Sequence, residues 1–337
     1  MLISDPPAAM IDQTTMKAIV HERYGRPDVL ELRDVALPVP TDDQVLVRVH
    51  ASSVNPVEWY GVTGPVFARV GGGGLRTPSF TGVGADFAGR VESVGKDVEG
   101  LAPGDEVYGV AAGAWAEYAC ARPGRLGPKP ATLSFEEAAT VPIAAVTALQ
   151  AVRDKARVEP GQKVLINGAS GGVGTFAVQL AKSFGADVTA VCSTGNVEVV
   201  ESLGADRVVD YTRQDFTRLD ERFDAVLDVA GSRSFLELRR VLTPEATVVL
   251  VGGRMTYHGL GPIPHLLGSR LKAKGRSQTA ISFLAKVNPD DLAVLGELLE
   301  AGTIRPVIDR SYRLEDAVAA LEYFGEGHAK GKVVVTI

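Results

Sequence analysis

The chain has 337 residues, 45% hydrophobic and 23% charged, which are the proportions of a folded protein with room for two domains rather than of a disordered or fibrous one. Its 35 basic and 41 acidic residues leave a formal net charge of -6, which argues against nucleic acid or an anionic membrane as the main partner. With only 2 cysteines, Cys120 and Cys192, neither a disulfide framework nor a four-thiolate zinc site can be assembled, and a reducing, cytoplasmic setting is expected.

No run reaches the ~20 apolar residues of a membrane helix. Met1 to Thr15 lacks a basic stretch followed by an apolar one, so it is read as a disordered leader and not as a secretory signal. From Met16 the segments MKAIVHE, VLELRDVALPVP and QVLVRVHASSV alternate and are rich in β-branched residues, the pattern of strands. Tyr60 to Gly84 is so rich in glycine and proline that a pocket loop or lid is expected there. Further strands follow through FAGRVESVGKDVEGLAPGDEVYGV and AWAEYACARPGRLGPKP, with a turn at Pro103-Gly104-Asp105.

Ser134, followed by Glu136 and Glu137, marks a helix start, and Ala/Val-rich helical text runs to about Asp154. Strands and helices then alternate from KVLINGA to ATVVLVGG, which predicts βαβ units and a parallel sheet. After Arg254 the text is irregular, then gives two helices, NPDDLAVLGELLEAG and LEDAVAALEYFGEG, and a last strand, KVVVTI. This tail is too short for a core of its own and is expected to return to the first domain. The organisation expected is therefore a β-rich catalytic domain over 16–137 and 278–337, with a doubly wound cofactor domain over 138–277.

The strongest motif lies between a hydrophobic strand and a helix, at Ala169-Ser170-Gly171-Gly172-Val173-Gly174. A pyrophosphate on a helix N-terminus needs bare backbone close by, so Gly171 leaves room for it and Gly174 lets helix and strand pack closely. At the end of the next strand, Cys192-Ser193-Thr194-Gly195-Asn196 carries no acid to hold a ribose diol, while Ser193, Thr194 and Asn196 offer neutral donors. That favours NADPH over NADH; the other reading is a plain polar turn, since no Arg or Lys stands at the tip. Val229-Ala230-Gly231 and Val251-Gly252-Gly253 fall at carboxyl ends of predicted parallel strands and are assigned to the cofactor cleft.

ASGGVG, the following VQLAKSFGADVTAVCST, the LGADRVVDY segment and GADFAGRVESVGKDVEGLAPGDEVYG together resemble the medium-chain dehydrogenase/reductase superfamily, and within it the zinc-independent quinone oxidoreductase group. The likeness spans nearly the whole chain from Met16. It implies an α/β fold made of a GroES-like catalytic domain and a Rossmann cofactor domain, with hydride chemistry on NADPH.

Zinc-dependent members of that superfamily hold their metal with an early Cys and with the His of a Gly-His-Glu segment. Here those places read Asn55 and Gly84-Ala85-Asp86. The histidines His21, His50, His258, His265 and His328 are scattered without metal-ligand spacing, and no metal is expected. Asp86 is expected to serve a hydrogen-bond network.

Hydride transfer then needs an acceptor that is already electrophilic, a quinone or an α,β-unsaturated carbonyl. By resemblance, Tyr60 is the active-site tyrosine, either a hydrogen-bond or proton donor to the acceptor oxygen or an aromatic wall of the pocket. Asn55 resembles the residue facing the nicotinamide ribose or substrate, or it forms an Asx turn before Pro56. Thr147 matches a threonine at the nicotinamide end, or bonds its own helix; Tyr211 matches a tyrosine near the adenosine 2′-phosphate, or packs at a strand end.

Arg270, Lys272, Lys274 and Arg276 form a basic cluster that would suit an enoyl-thioester substrate. By the same resemblance, ATVVLVGG is expected to pair with its copy in a homodimer. The alternatives to a quinone or enone reductase are an enoyl-thioester reductase and a non-catalytic NADPH-binding regulator.

Overall fold

The computed structural model describes residues 14–253, 263–273 and 277–337. The leader over 1–13, His258, Lys274, Arg276 and the side chain of Arg270 lie outside them, while the first strand already begins at Thr15.

Among the described residues, six strands form an all-parallel sheet in the spatial order Arg207–Asp210, Asp187–Cys192, Lys163–Asn167, Phe223–Asp228, Leu242–Leu250, Thr279–Ser282. The central strands read as near-continuous apolar runs because both faces are covered by helices, and Val164, Leu165, Ile166, Val226 and Leu227 are fully buried. The chain order reverses between Lys163–Asn167 and Phe223–Asp228, and at such a switch point the carboxyl ends of the strands leave a crevice.

The expected boundary at 277/278 moves. Thr279–Ser282 pairs in parallel with Thr247–Leu250 and completes the cofactor sheet; it is four residues long and only half-buried, too faint a pattern to read as a strand. It also corrects the expected dimer contact, because Thr247–Leu250 is paired on both sides and has no free edge to offer a second copy.

A second sheet of seven strands builds the catalytic domain around Val45–Ser53 and Asp86–Val94. The chain end does return there: Lys332–Thr336 pairs antiparallel with Ala51–Ser53 and parallel with Ile308–Arg313. A two-stranded ribbon, Thr15–Val20 with Glu31–Ala36, flanks it.

The single helix expected from Ser134 is two. Ser134 caps Phe135–Ala139 through the Glu137 N–H at 3.2 Å, and Pro142, which has no N–H to donate, opens the next helix, Pro142–Leu149. Wide helical turns carry on to Ala156. In the glycine-rich segment, helix Pro56–Thr63 closes at Gly64 with φ 57, and the chain is irregular from Gly74 to Ala85.

Tyr108, fully buried in the catalytic sheet, donates to the Leu292 carbonyl at 2.6 Å and so ties the sheet to helix Pro289–Glu300. Tyr108→Phe should lower stability by about 1 kcal/mol, seen as a lower denaturant midpoint at an unchanged slope.

Candidate active site

The glycine loop lies at the switch point. The strand Lys163–Asn167 ends in Gly168, whose φ of 87 turns the chain, and helix Gly172–Ser183 leaves from Gly171. A Cβ on Gly174 would stand 2.0 Å from the Gly168 carbonyl oxygen, so only glycine lets the helix start there. A Cβ on Gly171 would meet nothing closer than 3.6 Å, which leaves open space above its backbone. Val173 packs down on the core.

The other carboxyl-end loops converge on the same place. Val229 and Ala230 donate to the Asn167 carbonyl at 3.0 and 3.2 Å. A Cβ on Gly231 would stand 2.5 Å from Gly253 Cα, and one on Gly252 2.1 Å from the Val229 carbonyl oxygen, so backbone packs on backbone. Asp228 Oδ1 accepts from Gly231 N at 3.0 Å and Asn167 Nδ2 at 2.7 Å, and its other oxygen lies 3.4 Å from His265 Nε2, a histidine the sequence leaves without a role. Thr147, with Ile143 one turn before it, is a less buried position on the otherwise buried helix Pro142–Leu149.

Asn196 joins the loop, donating to Ser170 Oγ at 3.1 Å and Ser193 Oγ at 3.0 Å, while its own buried Oδ1 has no partner. This bare cradle, with an orphaned amide oxygen beside it, fits a nicotinamide dinucleotide, whose pyrophosphate the helix N-terminus would hold.

Two ions at the far end escape the sequence reading. Asp210, from the next strand, accepts the Thr194 hydroxyl at 2.6 Å, so an acid does stand at the tip. The Thr194 hydrogen bond, with those of Thr212 and the charge of Arg213, holds its carboxyl below the usual range. Lys330 reaches the same tip from the chain end, its Nζ 3.5 Å from the Gly195 carbonyl oxygen. Tyr211 is 54% exposed, its N–H on the Cys192 carbonyl oxygen.

On the catalytic side a buried ionic network faces the loop. Asp86 Oδ2 accepts from Ser53 Oγ and Asn55 Nδ2, each at 2.9 Å, and lies 3.5 Å from Lys332 Nζ; Asp86 Oδ1 accepts from Ile143 N at 3.0 Å. Lys332 Nζ also donates to Asn55 Oδ1 and, at 3.1 Å, to the Val54 carbonyl. Burial pushes the Lys332 ammonium below its ordinary value, opposed by Asp86 and Glu58. Burial likewise pushes Asp86 up, against the pull of Lys332, Asn55, Ser53 and the Ile143 N–H.

Glu58, buried, accepts the Asn55 N–H on Oε2 at 2.6 Å, and its Oε1 has no partner. Asn55 thus spends its amide inside the network. The main-chain bond from Gly331 N to the Ser170 carbonyl at 2.8 Å joins this network to the glycine loop.

A cavity of about 540 Å³ opens beside Val57, Glu58, Gly61 and Val62 of helix Pro56–Thr63, against Ala85 and Ala111. Tyr60 is on another side of that helix, half-buried, its ring edge-on to Phe67 at 4.9 Å, and is not among the residues lining the cavity. Its phenol is pushed up by burial.

A metal does not fit this site. Asn55 has its amide engaged, Ala85 offers no donor, and among the described residues no group of three His, Cys, Asp or Glu could hold an ion.

The alcohol dehydrogenase GroES-like domain model matches residues 41–150, and the zinc-binding dehydrogenase model matches 203–335. The chain is 36% identical to the 2-methylene-furan-3-one reductase of Solanum lycopersicum over 95% of this chain and 79% of that one. It is 32% identical to the chloroplastic NADPH-dependent alkenal/one oxidoreductase of Arabidopsis thaliana, with the same coverage of both. The solved quinone oxidoreductase from Coxiella burnetii superposes with a TM-score of 0.84 at 32% identity, covering 96% of this chain and 99% of that one.

The chain belongs to the medium-chain dehydrogenase/reductase superfamily, in its zinc-independent quinone oxidoreductase group. It is an oxidoreductase of nicotinamide dinucleotides.

Gly171→Ala should fold normally, since space is open there, yet bind a nicotinamide dinucleotide about tenfold more weakly because the methyl group occupies the cradle. Unchanged melting with weaker quenching of protein fluorescence by the reduced dinucleotide is the expected pair of results.

Proposed function

We propose that this chain reduces quinones or α,β-unsaturated carbonyl compounds with NADPH, in the cleft between the glycine loop and the Asp86–Lys332 network. The carrying observation is that the places used for zinc in metal-dependent relatives are here Asn55, whose amide is spent on Asp86 and Lys332, and Ala85. An acceptor that needs no Lewis acid, because conjugation already makes one carbon electrophilic, suits such a site. The bound dinucleotide supplies the hydride. The residues supply the rest: Gly171, Gly172 and the helix start hold the pyrophosphate, and the loops at Val229–Gly231 and Val251–Gly253 wall the cleft with backbone. The Ile143 and Thr147 face bounds its nicotinamide end. The names of the tomato and Arabidopsis relatives support an enone or alkenal, and that of the Coxiella enzyme a quinone.

NADPH is favoured by charge. Asp210 is compensated by Arg213 at 3.4 Å and by two hydroxyls, so Lys330 and Arg213 leave the tip cationic enough for a 2′-phosphate, with Ser193 as a neutral donor. Tyr211 stands beside them. A homodimer belongs to this reading, formed through the edge strand Thr279–Ser282, and sedimentation at micromolar concentration should give two copies. Among the described residues no helix is long and apolar enough to cross a membrane, and with the two free cysteines this supports a cytoplasmic location. The charge balance supports small molecules rather than nucleic acid as partners.

The test is NADPH oxidation against quinones, enones and enoyl-CoA esters. Turnover of quinones or enones should be unaffected by a chelator. Lys330→Glu should raise the NADPH dissociation constant about tenfold and leave that of NADH within about twofold. Tyr60→Phe should lower kcat/KM where the phenol donates to the acceptor; an unchanged value leaves the ring as a packing partner of Phe67. Tight NADPH binding with silence across the panel would favour a nucleotide-sensing protein, and turnover of enoyl-CoA alone an enoyl-thioester reductase.

A further inference from the structure

Two buried carboxylates, Asp86 and Glu58, share one buried cation, Lys332. The donors are divided unequally between them. Asp86 collects a hydroxyl, an amide N–H, a backbone N–H and the nearby ammonium. Glu58 receives one backbone N–H and keeps an oxygen with no partner. A second negative charge here would be desolvated with only the already shared ammonium and one backbone N–H to offset it, so the pair holds one proton and it sits on the poorer-served group. Burial first, then the charge of Asp86, pushes the Glu58 carboxyl up to about 8, against the opposing pull of Lys332 and the Asn55 N–H. A neutral acid with a spare O–H needs an acceptor, and Glu58 lines the cavity that Tyr60 does not.

We propose that Glu58 is a catalytic residue that donates a hydrogen bond, and then its proton, to the oxygen of the acceptor. The proposal rests on the reductase reading above. As hydride forms the new C–H bond at the β-carbon, the C=C pair shifts toward the carbonyl carbon and the C=O pair onto oxygen. The Glu58 O–H bond breaks, its electrons staying on the carboxylate, and the proton gives the enol. The enol tautomerises to the saturated carbonyl compound, and water returns a proton to Glu58. For a quinone the hydride adds to one carbonyl oxygen, the ring electron pairs shift to make the ring aromatic, and the same O–H protonates the other oxygen to give the hydroquinone.

Of the other titratable groups at the cavity, burial holds His21 below its ordinary 6.5 and Cys120 above its ordinary 9.0. Asp86 and Lys332, which face Glu58, are also shifted by burial, Asp86 upward and Lys332 downward, and the Glu58→Gln profile separates their titration from that of Glu58.

The experiment compares kcat/KM across pH 6 to 10 for the wild type and Glu58→Gln with an enone acceptor. Glutamine keeps an oxygen for the Asn55 N–H but has no proton to give. The wild type should lose activity as pH rises through about 8. Glu58→Gln should be slower by about 100-fold and lack that alkaline fall. A Gln variant with the wild-type rate, or one that keeps the alkaline fall, overturns the proposal.

A second measurement needs neither the variant nor turnover. In protein made with carboxyl-13C-glutamate, the infrared band of a protonated glutamic acid should persist at pH 7 and shift when cyclohexanone binds. No such band, or one indifferent to the ketone, overturns the assignment. A wild type silent on every acceptor defeats the reductase reading, while the labelled band still decides whether Glu58 is the buried donor.

Discussion

One buried ammonium makes a single site out of two domains. Lys332 lies on the last strand, is 3% exposed, and binds Asn55, the Val54 carbonyl and Asp86. Burying an ammonium costs several kcal/mol, which only good geometry and a counter-charge recover, and removing one partner of such a pair costs about 3–5 kcal/mol. The site therefore holds its arrangement tightly. The aliphatic stem of Lys332 is also the wall against Gly172, where a Cβ would stand 2.8 Å from Lys332 Cδ, and its neighbour Gly331 bonds the Ser170 carbonyl. Glycine loop, helix Pro56–Thr63 and strand Asp86–Val94 thus take their mutual positions from one side chain and the residue before it.

That arrangement sets the electrostatics of the cleft. The glycine-loop helix presents backbone N–H groups, and the tip has Lys330 and Arg213, so charge favours an anionic dinucleotide along one wall. The cavity on the catalytic side has an apolar face: Val57 and Phe80, both more than half exposed, border it together with Val62, Val83 and Val110. An acceptor with a flat, apolar body and one or two oxygens matches that division, with phosphate held at one end and carbon at the other.

The glycine motif was legible because its physics is local: a strand, bare backbone and a helix start occupy consecutive residues. The parallel sheet was legible from its apolar runs. What could not be read is what long-range contact creates. Lys330 and Lys332 are 135 and 277 residues from their partners Gly195 and Asn55, and in sequence they are two lysines beside a glycine near the chain end. Asp210 ends a different strand from Thr194, so a search for an acid along one strand misses it. Glu58 reads as an ordinary helix-start carboxylate, which its Oε2 is; only the unpartnered Oε1 says more. Thr279–Ser282 is four half-buried residues that the neighbouring strand makes into a strand.

The same constraint explains why the proton chemistry cannot come from the obvious cation. Lys332 has its donors spent on Asn55, Val54 and Asp86, and moving it toward an acceptor would leave Asp86 buried without its counter-charge. Asn55 is fixed by the same bonds. A site whose ammonium and amide are committed to holding their own frame must find its mobile proton on a group that the frame leaves under-served. Charge counting over three buried ionisable groups leaves only one such place, on the helix beside the cavity.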